Sequence, residues 1–433
     1  MAITIQQQPF VSGTSYFFPV GNPIEFLVSS SLSAAPNFKI EVKVYSPDTD
    51  ATPIATLRYD IIPSTTQILF DARQILQSKI TEGITNLRTS ATGIKYETTK
   101  YKTAKVTFGE SYGAIPSVTG SPTSSGVFNF YNGFFKYQGW AANDWQDYNL
   151  NSGTGVNEFN KLLTGFDNGV SATDAAVSAS PATYFKGGYN VKKINYNQLS
   201  QIQWLWKGAS GTFSIAQFAF FTAAPALSFS YSTSVSSVAS MQSMNIGTAA
   251  LLAIGSGTIL GLDSNEKYFY VCIKTGGAGY QLSKCYLFEI DWTPCSKFET
   301  FEIHWLNRYG GWDSWVFNKR SRHTTEIERQ SYNPTFLPIS GSTIVRNSYD
   351  ITGKNFIVST KESYTLNSDI LKQWELDGLE DLITSPMVYW NSADGFVNIT
   401  VKDPNIFEHK TNTVDKLFNL SFSFEIDNQD RRQ

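Results

Sequence analysis

The amino-acid sequence predicts a mainly β protein: two or three β-sandwich-like domains with few short helices and long decorated loops. Three observations predict it. Short segments alternate apolar and polar residues with the period of two that a half-buried strand imposes. Aromatics make up 15% of the 433 residues and charged residues only 16%, against about 25% charged in an ordinary globular chain. Aromatic and β-branched side chains suit a pleated surface. Finally, stretches rich in Gly, Pro, Ser and Asn interrupt the chain repeatedly, as a series of short strands joined by turns requires.

Taken in order, Phe38 to Tyr45 is the cleanest strand. Phe38, Ile40, Val42 and Val44 face one way and Lys39, Glu41 and Lys43 the other. Pro47 with Asp48 and Asp50 makes a turn, and strands follow over 54–61 and 68–70. Asp71 is placed to cap a short helix from Ala72 to Ile80. A strand over 105–110 closes this block. Residues 111–126, with Gly113, Pro116, Gly120, Pro122 and Gly126, read as an exposed loop. Strands resume over 201–206, 212–221 and 227–231. Ser232 to Ser243 reads as a loop or a polar strand edge. Segments 267–273 and 285–290, linked through Gly276, Gly277 and Gly279, form a hairpin. Phe301, Ile303 and Trp305 alternate with polar residues, Gly310-Gly311 turns the chain, and 312–317 returns. After a strand over 356–364, Ser368 can cap a helix whose apolar stripe is Ile370, Leu371, Trp374, Leu379, Leu382 and Ile383. Pro386 ends it. Two alternating strands, at Val397–Val401 and Leu420–Ile426, finish the fold, and the polar tail from Asn428 is expected to be mobile.

This gives an N-terminal β-sandwich-like domain with a short helix over 1–112. A variable, loop-rich and β middle region follows over 113–295. A C-terminal β domain with one amphipathic helix (368–384) occupies 296–433. The formal net charge of −3 provides no basic field for direct nucleic-acid binding. The local run Lys319, Arg320, Arg322 and His323 reads as a solvated turn. Cys272, Cys285 and Cys295 are too few for a disulfide scaffold, which fits a reducing cytoplasm, with one optional bridge if Cys272 and Cys285 sit on paired strands. No segment approaches about 18 uninterrupted apolar residues, and the start of the chain lacks the pattern of a secretory signal. Membrane insertion is therefore not expected.

Groups that carry chemistry are scarce. His304, His323 and His409 share no metal-ligand spacing. Gly276-Gly277-Ala278-Gly279 opens no helix, so a phosphate loop fails on context. Asp144, Asp147, Asp291 and Asp313 lie among aromatics, as in a sugar cleft. Asp in such loops also caps turns, and that reading is preferred. The expectation is a protein that is not an enzyme and uses no cofactor or metal.

The candidate interface and binding residues are aromatic. Trp140, Trp145 and Tyr148 form one group, where exposed rings can stack on sugars, anchor a subunit interface or pack a core. The second group is the segment Trp305 to Phe317, with Arg308, Tyr309, Trp312 and Trp315. It reads as strand, tight turn, strand: a rigid corner in which Arg308 can stack on a Trp ring.

That corner, Leu306-Asn307-Arg308-Tyr309-Gly310-Gly311-Trp312-Asp313, resembles a segment of virion structural proteins from tailed phages of Bacteroidota-like hosts, including crAss-like and marine phages. Other matching elements occur in order: Pro23-Ile24-Glu25-Phe26, Asn37 to Ile40, Phe70-Asp71 leading into Ile75-Leu76-Gln77, Val106 to Tyr112, Leu163-Thr164, Tyr364 to Asp369, Leu379 to Pro386, and Lys410-Thr411 with Lys416 to Leu420 before Phe424-Glu425-Ile426. The resemblance touches most of the chain as scattered motifs, while residues 113–290 depart from it. It implies a tail, baseplate or tail-adaptor subunit of the virion, assembled in the host cytoplasm as a ring-like homo-oligomer. The implied partners are copies of itself and other virion proteins. The alternatives are a virion protein binding a host surface glycan or receptor, and an accessory capsid or neck protein.

Overall fold

The computed structural model describes residues 3–9, 16–80, 83, 94–113, 117–151, 156–196, 198–207, 214–235, 239–247, 251, 264–275, 279–293, 297–332, 339–345, 353–402, 419–426 and 430–432. Cys295, His409, the turn at 276–278, the Lys410 to Phe418 motif and Asn428 to Gln429 lie outside them. The fold is mainly β, in several multi-stranded, largely antiparallel sheets. Two compact units divide it. The first comprises Met1–Pro294, Trp305–Ser314 and Asp377–Ser385; the second comprises Cys295–His304, Trp315–Leu376 and Pro386–Gln433.

Within the first unit, a three-stranded antiparallel sheet (Ile3–Gln7, Glu25–Ser30, Gln67–Asp71) and a five-stranded sheet share one core. The larger sheet runs Phe17–Pro19, Ser117–Tyr131, Tyr101–Tyr112, Lys39–Tyr45, Ala55–Tyr59. Ile40, Val42 and Val44 point into this core beside Phe26, Phe70, Phe108 and Phe128. That is the face the alternation from Phe38 selects. Residues 111–126 are not the exposed loop their composition suggested. Most of them belong to the long antiparallel pair Tyr101–Tyr112 and Ser117–Tyr131. Two register shifts absorb the awkward residues. At one of them the Ser125 hydroxyl accepts the Val106 N–H at 3.0 Å, so a side chain replaces a missing ladder bond. A domain boundary at 112/113 would cut this hairpin.

A second sandwich-like pair of sheets fills the rest of the first unit. One runs Asn149–Leu150, Gln201–Trp206, Ser240–Asn245, Ile94–Tyr96; the other runs Gly169–Val170, Cys285–Asp291, Glu266–Thr275, Ser214–Thr222, Leu227–Val235, with Lys192–Asn195 beside Cys285–Asp291. The strand Glu266–Thr275 is buried on both faces. Phe269, Val271 and Ile273 join a core with Trp204 and Trp206, whereas Tyr268, Tyr270 and Cys272 pack with Val177 and Phe185 from the helices Asp174–Ala179 and Pro181–Lys186. Double coverage explains its nearly unbroken apolar run. Cys272 and Cys285 lie on paired antiparallel strands, buried and free.

The expected short helix is shorter than 72–80. It spans Arg73–Gln77, and the Asp71 carboxylate accepts the N–H groups of both Arg73 (2.9 Å) and Ile24 (3.0 Å). The later helix spans Gln373–Thr384, starting five residues after the expected Ser368. Ser368 instead accepts the Leu420 N–H, and the Glu375 carboxylate accepts the Lys372 N–H at 2.7 Å, which is half of a capping box. Ile370 stands 63% exposed outside the stripe, while Leu376, Leu379 and Leu382 are buried.

The largest sheet runs Trp312–Phe317, Phe301–Leu306, Val388–Ser392, Gly395–Val401, Ser421–Ile426, Lys354–Asn367, Arg322–Tyr332, and Asp430–Arg432 also pairs with Lys354–Asn367. Phe301, Trp390, Tyr364 and Phe424 pack ring on ring with centroids 5.2–6.2 Å apart. His304, 1% exposed, is held by Glu302 at 2.7 Å.

Candidate functional site

The corner at Leu306 to Asp313 is a dense hydrogen-bond knot. The Asn307 side chain donates to Asp313 (2.7 Å) and to the Leu163 carbonyl (3.1 Å), and its Oδ1 accepts the N–H groups of Tyr309 and Gly311, both at 3.0 Å. Asp313 also accepts the Thr164 hydroxyl and the Gly165 N–H, each at 2.7 Å. The Trp312 N–H reaches Gln203 at 2.9 Å. Gly310 has φ +81°, and a Cβ there would lie 2.0 Å from the Asn132 carbonyl oxygen. Trp312 is buried and Trp315 half-buried.

Arg308 does not stack on tryptophan. Its guanidinium pairs with Asp381 and, at 2.9 Å, with Glu380. Two carboxylates compensate a partly buried guanidinium better than a ring face would. Burial, outweighing the Arg308 charge, pushes the Asp381 carboxyl up to about 6, and Asp313 adds to the rise. Glu380 and Asp381 were not candidate site residues in the sequence, because their partner lies more than seventy positions away. Their only local signal is a pair of acids set between the apolar Leu379 and Leu382.

The four aspartates considered as catalytic acids have different surroundings. Asp147 faces Lys161, Asp291 faces Lys193, Asp144 lies against Gly139, and Asp313 is locked in the corner. Among the described residues no group of three or more His, Cys, Asp or Glu side chains converges as metal ligands would, and no helix is long and apolar enough to cross a membrane.

The other aromatic group divides. Trp145 (2% exposed) and Tyr148 (5%) belong to the core, so neither presents a free ring face. Trp145 packs on Phe18 with centroids 4.5 Å apart, and Tyr148 stacks on Tyr309 at 4.8 Å. The helix Tyr137–Ala141 and the 3-10 turn Asp144–Tyr148 place these residues on the inner side. Trp140 remains half-buried.

Two of the concavities among the described residues border these aromatics. A cleft of about 300 Å³ is lined by Tyr148, Tyr309, Tyr286, Lys161 and Lys284. Its groups are mostly committed: Tyr286 accepts the Leu162 N–H at 2.7 Å, and Lys161 is held by Asp147. A groove of about 370 Å³ is bordered by Trp140, Gln7, Gln8, Glu25 and Asn143. No protein-family model matches the chain, and no curated protein matches it in sequence.

Proposed function

We propose that this chain is a non-enzymatic structural subunit of a tailed-phage virion, from the tail, baseplate or tail-adaptor region, assembling as a ring-like oligomer. The supporting observation is the strand Arg322–Tyr332. All eleven of its residues are exposed. It ends its sheet, pairing on one side with Lys354–Asn367. Among the described residues nothing pairs with its other edge. A long open edge of this kind is a template for another strand, and proteins that stay monomeric blunt or cover such edges. This edge carries Arg322, Glu326, Glu328 and Arg329, so a partner that completes the sheet would have to match those charges. The virion assignment itself rests on the sequence resemblance, and the low charge supports an assembly role, since interface cores are depleted in charge.

The test is the solution mass of the full chain by light scattering, together with labelled-antibody imaging of phage particles. A discrete multimer and label on the tail are expected. A monomer at every concentration, with no label on particles, would sink the reading.

A further inference from the structure

The groove beside Trp140 combines an aromatic face and the apolar Pro9, Pro23 and Ala141 with four polar side chains. Its floor and walls come from three places in the sequence: the end of the first strand (Gln7, Gln8), the start of Glu25–Ser30, and the turn after Tyr137–Ala141. Trp140 is backed by Trp145, with centroids 6.0 Å apart and planes 31° from each other. The buried ring fixes the half-exposed one, so Trp140 meets a ligand without losing side-chain freedom. Around it stand three carboxamides, on Gln7, Gln8 and Asn143, and one carboxylate, on Glu25. None of these four side chains has a hydrogen-bond or ion-pair partner among the described residues. Asn143 is held in the left-handed region at φ +63°.

Each feature narrows the ligand. A fixed aromatic face attracts the C–H face of a sugar ring. Carboxamides supply donors and acceptors side by side, and a carboxylate supplies acceptors, as neighbouring hydroxyls require. An apolar ligand would cover four polar side chains and leave them unsatisfied. A polyanion is disfavoured, because among the described residues no Lys or Arg lines the groove while Glu25 does. The volume falls in the usual range of about 300–1,000 Å³ for small-ligand sites. We infer that this groove binds a neutral oligosaccharide through Trp140 stacking, with Glu25 and the carboxamides gripping its hydroxyls.

The test titrates the full chain with lactose, cellobiose, mannobiose, maltotriose, diacetylchitobiose and, as the anionic control, digalacturonate, using calorimetry and tryptophan fluorescence. At least one neutral sugar should bind with a dissociation constant of about 1 mM or tighter. Trp140→Ala and Glu25→Ala should each weaken it about ten-fold or more. Glu25 is an exposed strand residue, so its variant carries the test if the Trp140 variant does not fold. The inference is overturned if no neutral sugar binds at about ten times that concentration, if affinity is unchanged in every folded variant, or if digalacturonate binds tightest. It stands apart from the assembly role, which is read by solution mass.

Discussion

Arg308 grips Asp381 through its side chain, and the backbone N–H of the same arginine points at the same carboxylate from 3.4 Å. The carboxylate is almost fully buried, at 3% side-chain exposure. Among the described residues, removing the guanidinium would leave that charge beside Asp313 with no cation paired to it. Breaking a buried pair in this way costs about 3–5 kcal/mol. Arg308→Ala should therefore lower the unfolding free energy by that amount in a urea titration, and Asp381→Asn should cost less.

The same carboxyl has a pH signature. Its folded value, about 6, lies above the ordinary 3.8. Between these values the folded state holds a proton that the unfolded state has released. Stability from this site is thus present at low pH and is lost as pH rises through about 6. The difference in unfolding free energy between the wild type and Asp381→Asn should shift by up to ~3 kcal/mol between pH 4 and pH 7, with the wild type gaining as pH falls. An unchanged difference across that window would contradict the assignment.

Gly310 and Gly279 both have positive φ, +81° and +72°, but differ in their surroundings. A Cβ at Gly310 meets the Asn132 carbonyl, whereas a Cβ at Gly279 meets nothing within 4 Å. Gly279→Ala should cost only the backbone strain, about 1–2 kcal/mol. Gly310→Ala adds overpacking of about 1–3 kcal/mol. Denaturant midpoints of the two variants measure the contrast.

Trp145→Ala should destabilise by about 3–5 kcal/mol, since it empties a core position between Phe18 and Tyr16. Trp140→Ala should cost about 1–2 kcal/mol, because less of its area is buried. Thermal melts of both variants separate the packing ring from the surface ring. Equal losses would show that Trp140 is core as well.

Ile327, 46% exposed in the middle of the open strand Arg322–Tyr332, is the point at which to block assembly. A lysine on an edge discourages strand addition. Ile327→Lys should lower the solution mass at a given concentration, while the melting free energy stays within about 0.5 kcal/mol.

The elements with strict alternation were legible in the sequence. Phe38 to Tyr45 is such a case, because period-two burial is a local property; Lys267 to Ile273 was legible instead as a short apolar run bounded by glycines. The coverage of that strand on both faces was not legible, because it depends on the distant helices Asp174–Ala179 and Pro181–Lys186. Residues 117–126 were not legible. Glycine and proline usually mark loops, and only register shifts set by the partner strand at Lys105–Glu110 let them sit in a ladder. The start of the later helix was hidden for a similar reason: Ser368 is a good cap, but Leu420, fifty-two positions away, occupies its hydroxyl. In the candidate site, the aromatic cluster at 140–148 was visible as a cluster. Which ring faces outward depends on a 3-10 turn that periodicity does not reveal. Gln7, Gln8 and Glu25 join Trp140 only through sheet pairing, so no spacing announces them.

The first unit closes only with Trp305–Ser314 and Asp377–Ser385, two pieces made after Pro294. This sets a timetable for synthesis. The ribosome must add 381 − 294 = 87 further residues before Asp381 can meet Arg308, an interval of about 4–17 s at ordinary elongation rates. Leu163, Thr164 and Gly165 wait a shorter time, the 313 − 294 = 19 residues until Asp313 of the corner is made. A nascent chain stalled shortly after residue 294 should therefore be held by chaperones and cut readily by proteases near 163–166, whereas one stalled well beyond residue 385 should resist both.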